Sequence, residues 1–270
     1  MLYALILTWN GLDKLERLKN GLYRNLNETE QPYRLYIRDN GSKDQTVEVV
    51  QDWPSSQLLA VNHNRDNFAQ GVNSLAKLAQ QHELFNLEND VFVLINNDVE
   101  FPRPEALRQM LDLMTPDVGV VGCRLLYNGT DKLQHAGVIF SERYNRLPFH
   151  YRYQEMSDAV AEKNRQFQAV TAAVCMVRAK SFFEVGMMSC EFNWAFDDVD
   201  LCLKIGALGK KIVYCGTAKV FHEESASLRK NSVNKLFVES NVRLFKEKWF
   251  GKYEIDHEKY LADPSYNECK

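Results

Sequence analysis

The sequence predicts an α/β fold: a single domain with a mostly parallel central sheet flanked by helices. Three observations lead there. Short apolar runs alternate with helical periods through the first hundred residues, a β-α-β-α-β-α-β rhythm that builds parallel sheets covered on both faces. Two of those runs close on polar, turn-forming residues, Asp39-Asn40-Gly41 and Asn96-Asn97-Asp98. The chain of 270 residues, 45% hydrophobic and 26% charged, has the size and mixture of one large globular domain, with or without an appendage.

Taken in order, Leu2–Thr8 reads as a buried strand. Leu12, Leu15, Leu18, Leu22 and Leu26 follow at helical spacing. Residues 33–38 form a second strand. Ser42-Lys43-Asp44-Gln45 has capping-box spacing, so a helix is expected from there to about Trp53. Residues 58–61 give a third strand, and Phe68, Val72, Leu75 and Leu78 line one face of the next helix. Residues 91–95 are the fourth strand. Beyond it, residues 118–126 and 169–177 read as longer strands. The polar, aromatic stretch 144–168 between them is expected to be a lid or acceptor loop. Leu201, Ile205 and Leu208 form a helical stripe that ends at Gly209. Strands at 212–215 and at Val220-Phe221-His222 complete the reading. The expected boundaries are 1–100 and 101–250 for the two halves of one domain and 251–270 for a loosely packed C-terminal tail.

Charge and cysteine content exclude several functions. Lys and Arg number 33 against 36 Asp and Glu, for a net charge of −3 and an isoelectric point near 6.1. No positive surplus exists to neutralise a nucleic-acid backbone, so no nucleic-acid partner is expected. The six cysteines are scattered without a CxxC pair, which favours a reducing, cytoplasmic setting. No apolar run approaches the roughly 20 residues that span a bilayer, and no secretory leader is expected. GxGxxG, GxxxxGK[ST] and GxSxG are all absent, which weighs against dinucleotide binding, a P-loop and the common serine hydrolase.

The residues able to do chemistry are mostly acids at strand ends, where ligands collect in open α/β sheets. Asp98 closes the fourth strand, either as a simple turn or as an oxygen ligand holding a divalent cation against a phosphate. Asp197, Asp198 and Asp200 crowd the start of a helix. One of them, Asp200, is expected to serve the helix dipole. Asp198 and Asp200 point to different faces. An acid held near other acids has a raised pKa, as a general base requires. His222 ends a strand. It is either a structural histidine or, with Asp98, half of a mixed oxygen and nitrogen shell that suits Mn²⁺ better than Mg²⁺. Asp39 either shapes a turn or accepts hydrogen bonds from a nucleotide base or ribose.

These pieces, in this order, resemble glycosyltransferase family 2, whose members have the nucleotide-sugar-dependent A fold. Ile6-Leu7-Thr8-Trp9-Asn10-Gly11 resembles the family's first strand and the loop beneath the nucleotide. Arg38-Asp39-Asn40-Gly41-Ser42-Lys43-Asp44 is similar to its DNGSxD segment, whose first Asp contacts the base. Asn67-Phe68-Ala69-Gln70-Gly71-Val72-Asn73 is similar to the GFAxGxN helix start, with Asn67 where Gly is usual and Arg65 where Asn is usual. Asn96-Asn97-Asp98 resembles the family's variant of DxD, with Asn96 in place of the first acid. Phe196-Asp197-Asp198-Val199-Asp200-Leu201-Cys202 resembles YEDVDLC, and Val220-Phe221-His222 resembles the VxH that supplies a further metal ligand. The match runs from Leu5 to about Ser227.

The resemblance implies an inverting, metal-dependent transferase acting in bacterial surface polysaccharide synthesis, similar to rhamnosyltransferase-like members. It implies a UDP- or dTDP-linked sugar as donor and a glycan or lipid-linked hydroxyl as acceptor. Asp198 then stands at the base, Asp98 and His222 at the metal, and Thr8, Trp9, Asn10, Asp39, Arg65, Asn67 and Asn97 around the donor. Asp197 and Trp194 belong to the acceptor side, Trp194 equally as a core aromatic. The implied place is cytoplasmic, at the inner face of the membrane through peripheral contact. Two rivals share the frame: a nucleotidyltransferase, disfavoured because Thr8-Trp9-Asn10-Gly11 is not a basic Gly-rich loop, and a non-catalytic glycan-binding relative.

Overall fold

A computed structural model describes residues 1–62, 66–193, 195–223 and 233–269. The elements run β1 (Leu2–Thr8), α1 (Leu12–Glu28), β2 (Tyr33–Asn40), α2 (Thr46–Gln51), β3 (Ser56–Val61), α3 (Phe68–Gln80), β4 (Val91–Asn96) and β5 (Val99–Glu100). They continue with α4 (Ala106–Asp112), β6 (Val118–Tyr127), β7 (Leu133–His135), β8 (Val138–Phe140), β9 (Pro148–His150), β10 (Arg165–Phe167), β11 (Val174–Arg178) and α5 (Ala179–Glu184). The chain ends with α6 (Asp197–Ala207), β12 (Lys211–His222), α7 (Val233–Trp249) and α8 (His257–Ala262).

Leu2–Thr8 is buried almost throughout, because helices cover both faces of the sheet, and its parallel neighbours are β2 and β4. The main sheet has the order β10-β12-β6-β11-β4-β1-β2-β3, with β5 on β12 and β7 on β6. The run β3-β2-β1-β4 is parallel, β11 enters antiparallel between β4 and β6, and β6 and β12 are parallel. One core lies between the sheet and α1 and α4, built on Leu15, Leu18, Leu22 and Leu107. The other lies against α3, α5 and α6, built on Val72, Leu75, Phe182, Leu201 and Ile205. A side chain at Gly71 would strike Leu7 at 2.7 Å, so glycine lets α3 lie close on β1.

Five expectations need correction. The helix expected from Ser42 begins at Thr46, because the Ser42 amide and hydroxyl both donate to Asp39 and leave no cap. The strand expected over 169–177 is ladder-paired only from Val174. The Thr171 amide instead donates to His135 Nε2 (3.4 Å) and the Ala172 amide to Asp198 Oδ2 (3.2 Å). The stretch 144–168 is not a loose lid: it contains β9 and β10 and buries Tyr151, Arg165 and Phe167. The two late strands are one, β12, with a register shift between Cys215 and Lys219. Nor is the tail loose. Asp256 and Tyr260 are buried, the Tyr260 ring stacks on Phe167 at 4.4 Å, and Cys269 bonds Asn164 at 2.8 Å. No helix among the described residues is long and apolar enough to cross a membrane.

Candidate active site

Parallel pairing sets Thr8 opposite Asp39 and Leu7 opposite Asn96, so three strand ends carry polar groups at one edge. Asn97 Nδ2 donates to Thr8 Oγ1 at 3.1 Å. Gly11 sits against this pair so closely that a Cβ would lie 2.6 Å from Asn97 and 2.7 Å from Thr8. Asn10, in the left-handed region at φ 46°, donates its amide to Ser42 Oγ (2.7 Å) and accepts from the Lys43 amide (2.8 Å). The loops after β1 and β2 are thereby knitted into one ledge. Trp9 on that ledge is half exposed. Asp39 is buried at the turn, where its carboxylate accepts from the amides of Gly41 (3.0 Å) and Ser42 (2.9 Å) and from the Ser42 hydroxyl. Its visible work is to shape that turn.

Arg65 and Trp194 lie outside the described residues. Asn67, expected to touch the donor, caps α3 instead. Its Oδ1 accepts from the Gln70 amide (2.9 Å), while the Gln70 side chain accepts from the Asn67 amide (2.8 Å). Its Nδ2 donates to the carbonyls of Cys190 (2.7 Å) and Phe192 (3.1 Å). The amide is a latch between α3 and the segment before α6.

Asp98 and His222 meet. Antiparallel pairing sets His222 opposite Val99, which brings its Nε2 within 3.2 Å of Asp98 Oδ1. The other ring nitrogen faces Gln134 Oε1 at 2.5 Å, so the ring donates there and turns Nε2 towards the carboxylate. Asn96 Nδ2 lies 3.3 Å from the same nitrogen. An acceptor nitrogen aimed at an acceptor oxygen is an arrangement that a cation completes, and this donor set fits a divalent ion. No group of three or more His, Cys, Asp or Glu side chains able to hold a metal occurs among the described residues. The remaining coordination positions would fall to diphosphate and water oxygens.

Asp198 opens α6 after Phe196, which stands in the left-handed region at φ 72°. Its Oδ2 accepts from Ala172 N (3.2 Å) and its Oδ1 from Val199 N (2.8 Å), two backbone bonds that fix the carboxylate. Asp197 and Asp198 line a cavity of about 450 Å³ that His222, Asn96 and Gln134 also reach. Its apolar walls include Phe68, Phe149, Tyr153 and Phe196. Burial, then the neighbouring Asp198 charge, pushes the Asp197 carboxyl up to about 7. The raised acid is therefore Asp197. Asp200, expected to serve the helix dipole, is fully buried and tied to side chains. Burial alone would raise its carboxyl; bonds from Lys248 (2.7 Å), Ser189 (2.6 Å) and Trp249 (2.9 Å), with the Lys204 charge, bring it below the usual carboxylate range.

Several site residues carry no signal in the sequence. Gln134 orients His222 from 88 positions away. His135, fully buried, pairs Nδ1 to Nδ1 with His150 at 2.8 Å and so ties β7 to the hairpin of β8 and β9. Burial, then His150 and His222, hold the His135 ring well below its usual pKa. Only the clustering of aromatics in 144–153 hinted at the cavity wall.

Comparisons with known proteins fit this geometry. The model of the family described as Glycosyltransferase like family 2 matches residues 2–240. An uncharacterized protein, y4gI, of Sinorhizobium fredii is 30% identical over 87% of this chain and 25% of its own. The O-antigen biosynthesis protein RfbC of Myxococcus xanthus is 27% identical over 74% of this chain and 15% of its own. The chain thus spans a quarter or less of those two relatives. An N-acetylglucosaminyl-diphospho-decaprenol L-rhamnosyltransferase of Mycobacterium tuberculosis is 24% identical, covering 77% of this chain and 72% of its own. Among solved structures, GalNAc-T7 with UDP, GalNAc and Mn²⁺ superposes with a TM-score of 0.65 at 12% identity, over 98% of this chain and 51% of its own. The mannosyltransferase PcManGT of Pyrobaculum calidifontis, with GDP-Man and Mn²⁺, gives 0.57 at 13% identity, over 97% and 78%. By family match and by fold, the chain belongs to the glycosyltransferase-like family 2 and has the glycosyltransferase A fold.

Proposed function

We propose that this domain moves a sugar, with inversion, from a UDP- or dTDP-linked donor to a hydroxyl of a glycan or lipid-linked acceptor in bacterial surface polysaccharide synthesis. The observation that carries the reading is one cavity shared by a fixed carboxylate, Asp198, and by His222, which is itself paired with Asp98. Asp198 accepts the proton of the acceptor hydroxyl as it attacks the anomeric carbon. One displacement inverts that carbon, and no second carboxylate nucleophile is needed. Asp98 and His222 would hold a divalent ion, Mn²⁺ in preference to Mg²⁺ for its tolerance of nitrogen, and the ion would offset the charge developing on the departing diphosphate. The ledge of Thr8, Trp9, Asn10, Asp39 and Asn97 cradles the nucleoside in the half formed by residues 1–100. Residues 101–250 supply the acceptor cavity, with Asp197, Phe149 and Tyr153 along its wall. The work takes place at the cytoplasmic face of the membrane, by peripheral contact.

A thermal-shift screen of nucleotide sugars with and without Mn²⁺ tests this reading. A UDP- or dTDP-sugar should raise the melting temperature by several degrees at saturation, and only with the ion present. The same donor should then release nucleoside diphosphate when a glycan acceptor is added. Stabilisation by nucleoside triphosphates with pyrophosphate release, or by glycans and never by nucleotides, would overturn it.

A further inference from the structure

We propose that the face of α7 bearing Asn241 and Phe245 positions Asp198 for proton transfer, an inference that rests on Asp198 being the base. Asp198 is carried by the first turn of α6, and Phe196 just before it holds a left-handed backbone that a bulky side chain adopts only under constraint. No side chain caps α6 at this residue. The constraint comes from α7, at positions four residues apart that share one helix face.

Asn241, fully buried, accepts from the Asn193 amide at 3.2 Å and donates to the carbonyls of Asn193 and Ala195, the latter at 3.3 Å. Four residues on, the Phe245 ring lies 5.1 Å from that of Phe196. Four further on, Trp249 Nε1 donates to Asp200 Oδ1 at 2.9 Å. The three contacts follow the chain from Asn193 through Phe196 to Asp200, bracketing Asp198 on both sides. The family match ends at residue 240, immediately before this face begins. Asn241 and Phe245 do not line the cavity, so they act through the backbone they hold and are positioning residues.

The test uses the full chain with Mn²⁺ and a UDP-hexose or dTDP-deoxyhexose donor, reading nucleoside diphosphate release. Asn241→Leu keeps the branched shape of the side chain and removes the hydrogen bonds. It should lower kcat by roughly 10- to 100-fold, the cost of a misplaced catalytic group, with the donor KM within about twofold of the parent. Phe245→Leu, a second variant in the same face, should lower kcat in the same direction; it decides the matter if Asn241→Leu does not fold. In an Asp198→Asn background neither substitution should reduce residual turnover further, because both act through the same carboxylate. Parental kcat in a folded Asn241→Leu or Phe245→Leu protein overturns the positioning role, as does an additional loss in the Asp198→Asn background. Full activity of Asp198→Asn alone would instead overturn the base assignment on which the inference stands.

Discussion

Asp197 and Asp198 are adjacent in sequence and opposite in setting. Asp198 is braced by two backbone amides; Asp197 is buried beside it, its carboxyl raised by burial and by its neighbour's charge. The folded pKa of about 7 lies above the unfolded 3.8, so between those values the native state binds more protons and stability falls as pH rises. Asp197→Asn should therefore raise the melting temperature at pH 8 by about 2–4 °C, and give little gain at pH 4, near the unfolded pKa. At pH 4 the folded acid is neutral and the unfolded one only about half ionised, so most of the penalty is absent. Differential scanning calorimetry at the two pH values checks this; equal shifts at both would contradict it. At the other end of the site, Asp98→Ala should weaken Mn²⁺-dependent binding of UDP or dTDP by more than tenfold in titration calorimetry, while Mn²⁺-free binding stays unchanged. Asp98 and Asp198 stood out in the sequence as acids at a strand end and a helix start, whereas Asp39, at another strand end, shapes a turn. Asn67 was misread because its amide answers to carbonyls at 190–192, more than 120 positions away. Gln134 and Asn241 carry no local pattern at all.

At the scale of elements, the site is held by caps and cross-ties more than by loops. Asn67 both caps α3 and latches the segment before α6, so Asn67→Ala should destabilise by about 1–2 kcal/mol in urea unfolding, the upper part of the range for a lost cap. Loss of less than about 0.5 kcal/mol would deny the latch. Asp200 binds α6 to α7 through Lys248 and Trp249, and to the segment before α6 through Ser189. Asp200→Asn leaves two lysines without their counter-charge and should cost about 3 kcal/mol, the lower end for a broken buried pair because both lysines keep some exposure. Periodicity located β1, α1, β4 and α3 well, since each buries one continuous apolar stripe. It overran β11 because the amides of Thr171 and Ala172 serve His135 and Asp198 instead of a ladder. It missed how the tail packs, because Arg165, a charged residue at 1% exposure, donates Nε and Nη2 to the carbonyls of Tyr266 and Asp263, contacts with no local pattern.

Across the whole molecule, the parallel run β3-β2-β1-β4 carries the polar ledge, and β6, β7 and β12 with the β8–β9 hairpin and the segment before β11 line the cavity. Asp98 comes from the first half and His222 from the second, so the cation pair forms only when the two halves share one sheet. The parallel architecture was legible from the strand–helix rhythm. The antiparallel entry of β11 was not, because nothing in a short apolar run records its direction. The central claim is that Asp198 is the base of a glycosyl transfer. It is tested most directly by one paired measurement on Asp198→Asn: calorimetric affinity for the UDP- or dTDP-sugar with Mn²⁺, and release of nucleoside diphosphate in the presence of acceptor. The account predicts affinity within about twofold of the parent and turnover reduced by at least ~10²-fold. Turnover at the parental rate in a variant that still binds donor would contradict it.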